Sequence, residues 1–134
     1  QRATSPTPAL VLAVARASAC AIARVYHAAG FAVVIDDFWD HHSELAEYAA
    51  LCAEFGVRRV LLHPSRDAAL ARNVRRSGDA AQAGYIAAGI SIVYAALEHA
   101  AAKLSSQGWA ILDNTDLSPD ETVARILAAT GQHT

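Results

Sequence analysis

The feature that most constrains this chain is a set of three short apolar runs, each rich in branched side chains and followed by polar residues. The runs are FAVVIDDF (31–38), VRRVLLHP (57–64) and WAILDN (109–114). Apolar runs of this length, separated by helical segments, are typical of buried strands in a parallel sheet. We therefore predict three parallel strands joined by helical crossovers.

The segments between these runs have helical composition and recognisable ends. The predicted helices cover 8–29, 42–55, 66–78, 80–105 and 118–130. Ser43 and Ser65 are expected to open the second and third helices, and Ser118 with Glu121 forms a capping-box pattern at the last. Arg16 and Arg24, eight residues apart, are expected to mark the solvent side of the first helix. The order α-β-α-β-α-α-β-α predicts an α/β fold with helices on both faces of a parallel sheet.

Length and composition narrow the class of protein. A chain of 134 residues fits one domain, so we predict a single domain over 1–134. Alanine supplies 32 of these residues, which predicts a helix-rich, thinly filled core because alanine buries little area. The net charge of -2 argues against nucleic-acid binding driven by overall charge.

The cysteine, hydropathy and histidine patterns bear on the cellular compartment, on membrane binding and on metal binding. Cys20 and Cys52 stand alone without metal-binding spacing, which predicts reduced thiols in a cytoplasmic protein. The apolar stretch from Ala9 to Ala15 is shorter than the roughly 20 residues that cross a bilayer, so we expect no membrane partner. His41 and His42 are adjacent, and neighbours on a helix point to different sides, so we expect no metal there.

Three polar clusters are predicted where an open α/β sheet binds its ligands, at or beyond the carboxyl ends of strands, and two of them directly follow a strand. Asp36 and Asp37 end the first run and offer the hard oxygens that Mg²⁺ prefers; the alternative is an acidic helix cap or turn. Asp113, Asn114 and Thr115 follow the last run. Their side chains could bind a base or a ribose, or simply form a turn and a cap.

A third cluster consists of arginines on one helix. Arg72, Arg75 and Arg76 are spaced by three and four residues, which places them on one helical face. Neighbouring cations repel one another, so an anion such as a polyphosphate would explain the arrangement. The alternative is a solvated face paired with Asp67 or Asp79.

The order of these clusters resembles a known enzyme class. The segments GFAVVIDDFW, RRVLLHPSRDAALARNVRRSG and GWAILDNTDLSPDETVARIL are similar to the later part of small P-loop kinases, over about residues 16–130. The similar branch includes chloramphenicol phosphotransferase, zeta-toxin-type and gluconate-kinase-type enzymes. The resemblance implies a three-layer parallel sheet of P-loop NTPase type. It also implies an ATP-dependent phosphotransferase that uses ATP and Mg²⁺ and acts on the hydroxyl of a small-molecule acceptor.

The same resemblance implies roles for individual residues. Asp36 would lie at Mg²⁺, and Asp37 would act near the phosphates as a catalytic residue. Arg72 and Arg76 would be catalytic arginines of a mobile lid over 65–90, with Arg75 beside them on the nucleotide. Asn114 and Thr115 would border the adenine.

The departure from that family lies in the phosphate-binding loop. The sequence contains no GxxxxGK[ST] motif, and Lys103 is its only lysine. Because the chain starts at Gln1 and contains no methionine, we expect the first strands and the loop to precede Gln1. The alternative is a non-catalytic nucleotide-binding or interaction module that has lost this loop. The alanine-rich helices could pack against copies of themselves or could cover the sheet, and the sequence leaves both alternatives open.

Overall fold

Two short strands make up the whole sheet within the part of the chain that the structure describes. The structure is a computed structural model that describes residues 5–78 and 80–131, excluding the side chains of 80–83. Strand β1 (Val60–Leu62) pairs in parallel with β2 (Ala110–Leu112), with Val60 opposite Ala110. The rest is mostly helical. The predicted three-layer parallel sheet of P-loop type is therefore wrong.

The predicted first strand, 31–38, does not form a strand. These residues have no regular secondary structure, and the side chain of Val34 is 92% exposed. Branched apolar residues favour an extended backbone, but a strand also needs a neighbour for its N–H and C=O groups. No ladder partner for this run occurs among the described residues, and that is why the sequence pattern overestimated the sheet.

Helices follow the predicted positions closely at most of their ends. The five are α1 (Pro8–Ala28), α2 (Ala49–Phe55), α3 (Arg66–Ser77), α4 (Ala80–Ser106) and α5 (Pro119–Thr130). The Ser65 side chain caps α3, and Ser118 and Glu121 complete the capping box of α5. Both caps confirm the sequence prediction, because they depend on local contacts alone.

The second predicted helix starts later than Ser43. Residues 41–45 form a turn, a 3₁₀ turn covers Ala46–Tyr48, and only then does α2 begin. Glu44 and Leu45 have φ angles of 49° and 61°, which interrupt a helix. The Ser43 hydroxyl donates to Asp40 instead of capping a helix, so the predicted cap is wrong.

The chain divides into two compact units, Gln1–Val57 and Arg58–Thr134. In the first unit, Cys20 and Ala23 of α1 pack with Leu51, and Tyr48 lies against them. Arg16 shares this buried face of α1, whereas large apolar side chains of the same helix, such as Val25, are exposed. The expectation that Arg16 lies on the solvent side is therefore wrong: small side chains form the buried face and admit the long arginine.

In the second unit, α3 packs on α4, and β2 contacts both α4 and α5. Leu97 and Leu104 of α4 are buried, as are Leu61 of β1 and Ala69 of α3. Leu97 and Leu104 are seven residues apart, which is two helical turns and therefore one face of α4. This helix contacts α3 and β2.

Two helical segments, Pro8–Ala28 and Gly84–Ser106, are long and apolar enough to cross a membrane by length and composition. This is a weak indication, because core helices of soluble proteins and signal sequences share these properties.

Cys20 and Cys52 are both free thiols, as the sequence predicts.

Candidate functional site

The loops that follow β1 and β2 meet at one edge of the small sheet. After β1 the chain passes through His63, Pro64 and Ser65 into α3. The His63 N–H donates to the carbonyl of Leu112 at 2.8 Å, which extends the parallel ladder by one step. Because parallel strands place their carboxyl ends together, the polar residues that follow the two strands lie at the same edge.

Thr115 joins the two loops. Its Oγ1 accepts a hydrogen bond of 2.7 Å from the Ser65 N–H. In turn, the Thr115 hydroxyl and N–H both donate to Asp113 Oδ1, at 2.5 and 2.9 Å. These bonds lower the pKa of Asp113. Asp113 and Thr115 therefore build the turn that fastens the start of α3 to the end of β2.

Arg72 adds a second connection from the middle of α3. Its Nη2 donates to the carbonyl oxygens of Asn114 and Thr115, both at 2.8 Å. Three residues singled out from the sequence thus come together, although Arg72 contacts backbone carbonyls. An arginine held in this way is a positioning residue, because its donors on Nη2 are already engaged.

Arg75 and Arg76 lie in the last turn of α3, and both are exposed. Neither makes an ion pair within the described residues. This leaves the proposed pairing with Asp67 unformed, and Asp79 lies outside the described residues. The helix C-terminus favours cations there. Arg76 is one turn beyond Arg72 on the same face of α3.

Two further residues of this edge did not stand out from their residue types. The rings of His63 and Tyr94 stack with centroids 5.2 Å apart, and the Tyr94 hydroxyl donates to the Pro64 carbonyl at 2.7 Å. Burial raises the pKa of Tyr94. His63 Nε2 and Asn114 Oδ1 are buried without a hydrogen-bond partner among the described residues. His63 stands between a strand and a proline, which is a usable signal, whereas Tyr94 lies mid-helix and gives none.

Arg16 organises the polar cluster of the first unit. The side chain is 1% exposed, and its Nε donates to Asp37 Oδ2 at 2.8 Å. Its Nη1 lies 2.8 Å from Ser43 Oγ and 3.3 Å from carboxylate oxygens of Asp40 and Glu47. One guanidinium thus faces three carboxylates, and the multiple hydrogen bonds are what allow a charge to be buried. The sequence signal was an arginine one turn before Cys20 on the small-residue face of α1.

Asp37 is fully engaged within this cluster. Its Oδ2 also accepts from the Tyr48 hydroxyl at 2.9 Å, and its Oδ1 accepts from the Phe38 N–H at 2.8 Å. Burial works to raise the pKa of Asp37, but Arg16 and these donors bring it below its usual value. Burial and the bond to Asp37 raise the pKa of Tyr48 to about 12. A carboxylate held in this way is a poor proton acceptor. Its part near the phosphates is not tested by these contacts, and the catalytic role of Asp37 stays a prediction.

Asp36 is exposed and, unlike Asp37, its side chain makes no hydrogen bond or ion pair among the described residues. An exposed carboxylate fits the hydrated Mg²⁺ that the resemblance implies, since this ion keeps several waters. Its role as a metal ligand also stays a prediction.

The chain matches no protein-family model, and comparison with curated proteins and with solved structures gave no match either.

Proposed function

We propose that this chain binds the phosphate groups of a nucleotide on the arginine face of α3 and takes part in ATP-dependent phosphoryl transfer to a small-molecule hydroxyl. The observation that carries the proposal is the exposed guanidinium of Arg76, one turn beyond an arginine anchored on the β2 loop. Planar guanidinium groups bind phosphate oxygens in pairs, and a neighbouring fixed arginine keeps the local potential positive.

Within this proposal the three arginines of α3 have different roles. Arg76 and Arg75 contact the phosphates, while Arg72 positions α3 against Asn114 and Thr115. Asn114 Oδ1 is buried and has no hydrogen-bond partner among the described residues, so it would accept a hydrogen bond from a base or ribose once its side chain turns outward. These residues all belong to the second unit, and the role of Asp36 at Mg²⁺ stays a prediction of the resemblance. The two free thiols suit the reducing cytoplasm.

A second candidate function is a nucleotide-binding module without catalysis. The specific observation in its favour is the sequence itself, which contains no GxxxxGK[ST] motif and one lysine, Lys103. Without a phosphate lysine or a Mg²⁺-binding hydroxyl next to a glycine-rich loop, this chain lacks most of the usual means of stabilising a transferring phosphoryl group.

The test is a calorimetric titration of the full chain with Mg-ATP, followed by measurement of ADP release with a panel of small alcohols and sugars. We expect Arg76→Ala to weaken binding about tenfold, the loss of one charge-assisted contact of roughly 1.4 kcal/mol. Arg125→Ala removes an exposed arginine from α5 and is the matched control. Equal affinities for the two variants, or no binding by the parent chain, would refute the proposal.

ADP release distinguishes the two candidate functions. Turnover that depends on an added acceptor supports the phosphotransferase. Tight binding that Arg76→Ala weakens, with no ADP formed, supports the non-catalytic module.

A further inference from the structure

The turn that follows Trp39 brings together a carboxylate and two imidazoles. Asp40, His41 and His42 each present one potential ligand atom, and these three atoms lie within 4.8 Å of one another. The ring centroids of the two histidines are 4.0 Å apart. The sequence argument against a metal assumed a helix, on which neighbours diverge, whereas these residues form a turn. The reason for excluding a metal is therefore removed.

A backbone hydrogen bond closes this turn. The Glu44 N–H donates to the Asp40 carbonyl at 2.8 Å, and Glu44 and Leu45 adopt positive φ angles that reverse the chain. A site whose ligands come from consecutive residues depends on such a backbone, because the turn alone sets how the side chains converge.

Asp40 is oriented by groups that leave it free to bind further. Its Oδ2 accepts from the Ser43 hydroxyl at 2.8 Å and from Arg16 Nη1 at 3.3 Å. Its Oδ1 accepts only from the His42 N–H, at 2.9 Å, among the described residues. A carboxylate oxygen has two lone pairs, so Oδ1 retains acceptor capacity. Hydrogen bonds of this kind to a ligand carboxylate usually strengthen metal sites by holding the ligand in place.

The local charge favours a cation. The carboxylates of Asp37, Asp40 and Glu47 surround the single guanidinium of Arg16. Three negative charges against one positive charge leave an excess of two, on side chains that are mostly shielded from water. A divalent ion next to Asp40 would compensate this excess, which bulk solvent screens incompletely at a part-buried position.

We propose that Asp40 Oδ1 and the imidazoles of His41 and His42 form a binding site for a divalent transition metal of the zinc class. Two imidazole nitrogens and one carboxylate oxygen are a ligand set that suits Zn²⁺, and a three-ligand site leaves a coordination position open. At metal–ligand distances of about 2.1 Å, tetrahedral ligands lie about 3.4 Å apart, so the ligand atoms must approach one another by up to about 1.4 Å. Both imidazoles are exposed and can make this adjustment by side-chain rotation.

The test uses the tag-free full chain, stripped with a chelator and titrated with ZnCl₂ by calorimetry. We expect one Zn²⁺ per chain, and at least a tenfold loss of affinity in each of His41→Ala and His42→Ala. His99→Ala is the matched control, because His99 is an exposed histidine on α4 outside the cluster. Its affinity should stay within twofold of the parent. Ser43→Ala should weaken binding about tenfold, because it removes the donor that orients Asp40.

A second readout separates a metal site from loss of fold. Co²⁺ replaces Zn²⁺ in such sites and gives visible absorption bands when imidazole and carboxylate ligands surround it. These bands should appear with the parent and with His99→Ala, and be absent from the two turn variants while their circular dichroism is unchanged. No Zn²⁺ binding by the parent, or equal losses from His99→Ala and His42→Ala, would overturn the proposal.

Discussion

The two units each hold one arginine as a structural connector, but they use it in different surroundings. Arg16 is buried against three carboxylates, whereas Arg72 is half-buried and binds two backbone carbonyls. A buried ion cluster is expensive to break, since the remaining charges lose their compensation while still shielded from water. Hydrogen bonds to carbonyls cost less to lose, because each carbonyl is neutral and water can replace the donor. The first unit should therefore depend on its arginine far more than the second.

The largest expected effect comes from Arg16→Ala. Removing the guanidinium leaves Asp37, Asp40 and Glu47 facing one another, and we expect the free energy of unfolding to fall by about 3–5 kcal/mol. Arg24→Ala is the control on the same helix, because Arg24 pairs with Glu54 in an exposed position. That change should cost less than about 1 kcal/mol. Urea unfolding followed by circular dichroism measures both, and similar losses would contradict the role given to Arg16.

The next effect concerns Arg72→Ala, which should reduce stability by about 2–3 kcal/mol through the two lost carbonyl contacts. Arg76→Ala, one turn away and exposed, should change stability by less than about 0.5 kcal/mol. The same unfolding assay applies. Equal stabilities would mean that Arg72 does not fasten α3 to the β2 loop. Combined with the nucleotide titration, this pair separates the arginine that holds the site from the one that contacts phosphate.

Acid sensitivity gives a third comparison. Burial works against the charge of Asp40, but bonds from the His42 N–H, Ser43 and Arg16 lower the pKa of Asp40 to about 2, below its usual 3.8. A carboxyl whose pKa is lower in the folded state stabilises the fold above about pH 4, and this contribution is lost as the pH falls toward 2. We expect a loss of about 2 kcal/mol over that range.

The measurement is the free energy of unfolding between pH 5 and pH 2, with a chelator present, for the parent and Asp40→Asn. The variant should show a shallower decline. Asp113 also has a lowered pKa but is exposed, so Asp113→Asn should leave the slope nearly unchanged because solvent screens its interactions. An unchanged slope in Asp40→Asn would contradict the buried cluster as the source of acid sensitivity.

The difference between contacts that are local in sequence and contacts that are distant explains which structural features were predictable from the sequence. The caps at Ser65 and Ser118 and the strands around Leu61 and Ile111 depend on residues close in sequence or on plain apolar runs. The run at 31–38 failed as a strand because pairing requires a partner elsewhere in the chain. Arg16 was misplaced because its four side-chain partners lie 21 to 31 residues away. The expectation that ligand-binding residues gather at the carboxyl ends of parallel strands placed Arg72 near Asn114 and Thr115. It did not predict that Arg72 binds their backbone carbonyls.

The smallest effect tests the helix ends of the two units against each other. Ser118 caps α5 in a reciprocal box, in which its hydroxyl accepts from the Glu121 N–H at 3.2 Å and the Glu121 carboxylate accepts from the Ser118 N–H at 2.8 Å. Thr7 caps α1 through one bond to the Leu10 N–H at 3.3 Å, and Leu10 cannot return it. Ser118→Ala should therefore cost about 1 kcal/mol and Thr7→Ala about half of that. Thermal unfolding of both variants decides the order, and a larger loss at Thr7 would mean that α1 relies on its first turn more than its buried Arg16 cluster implies.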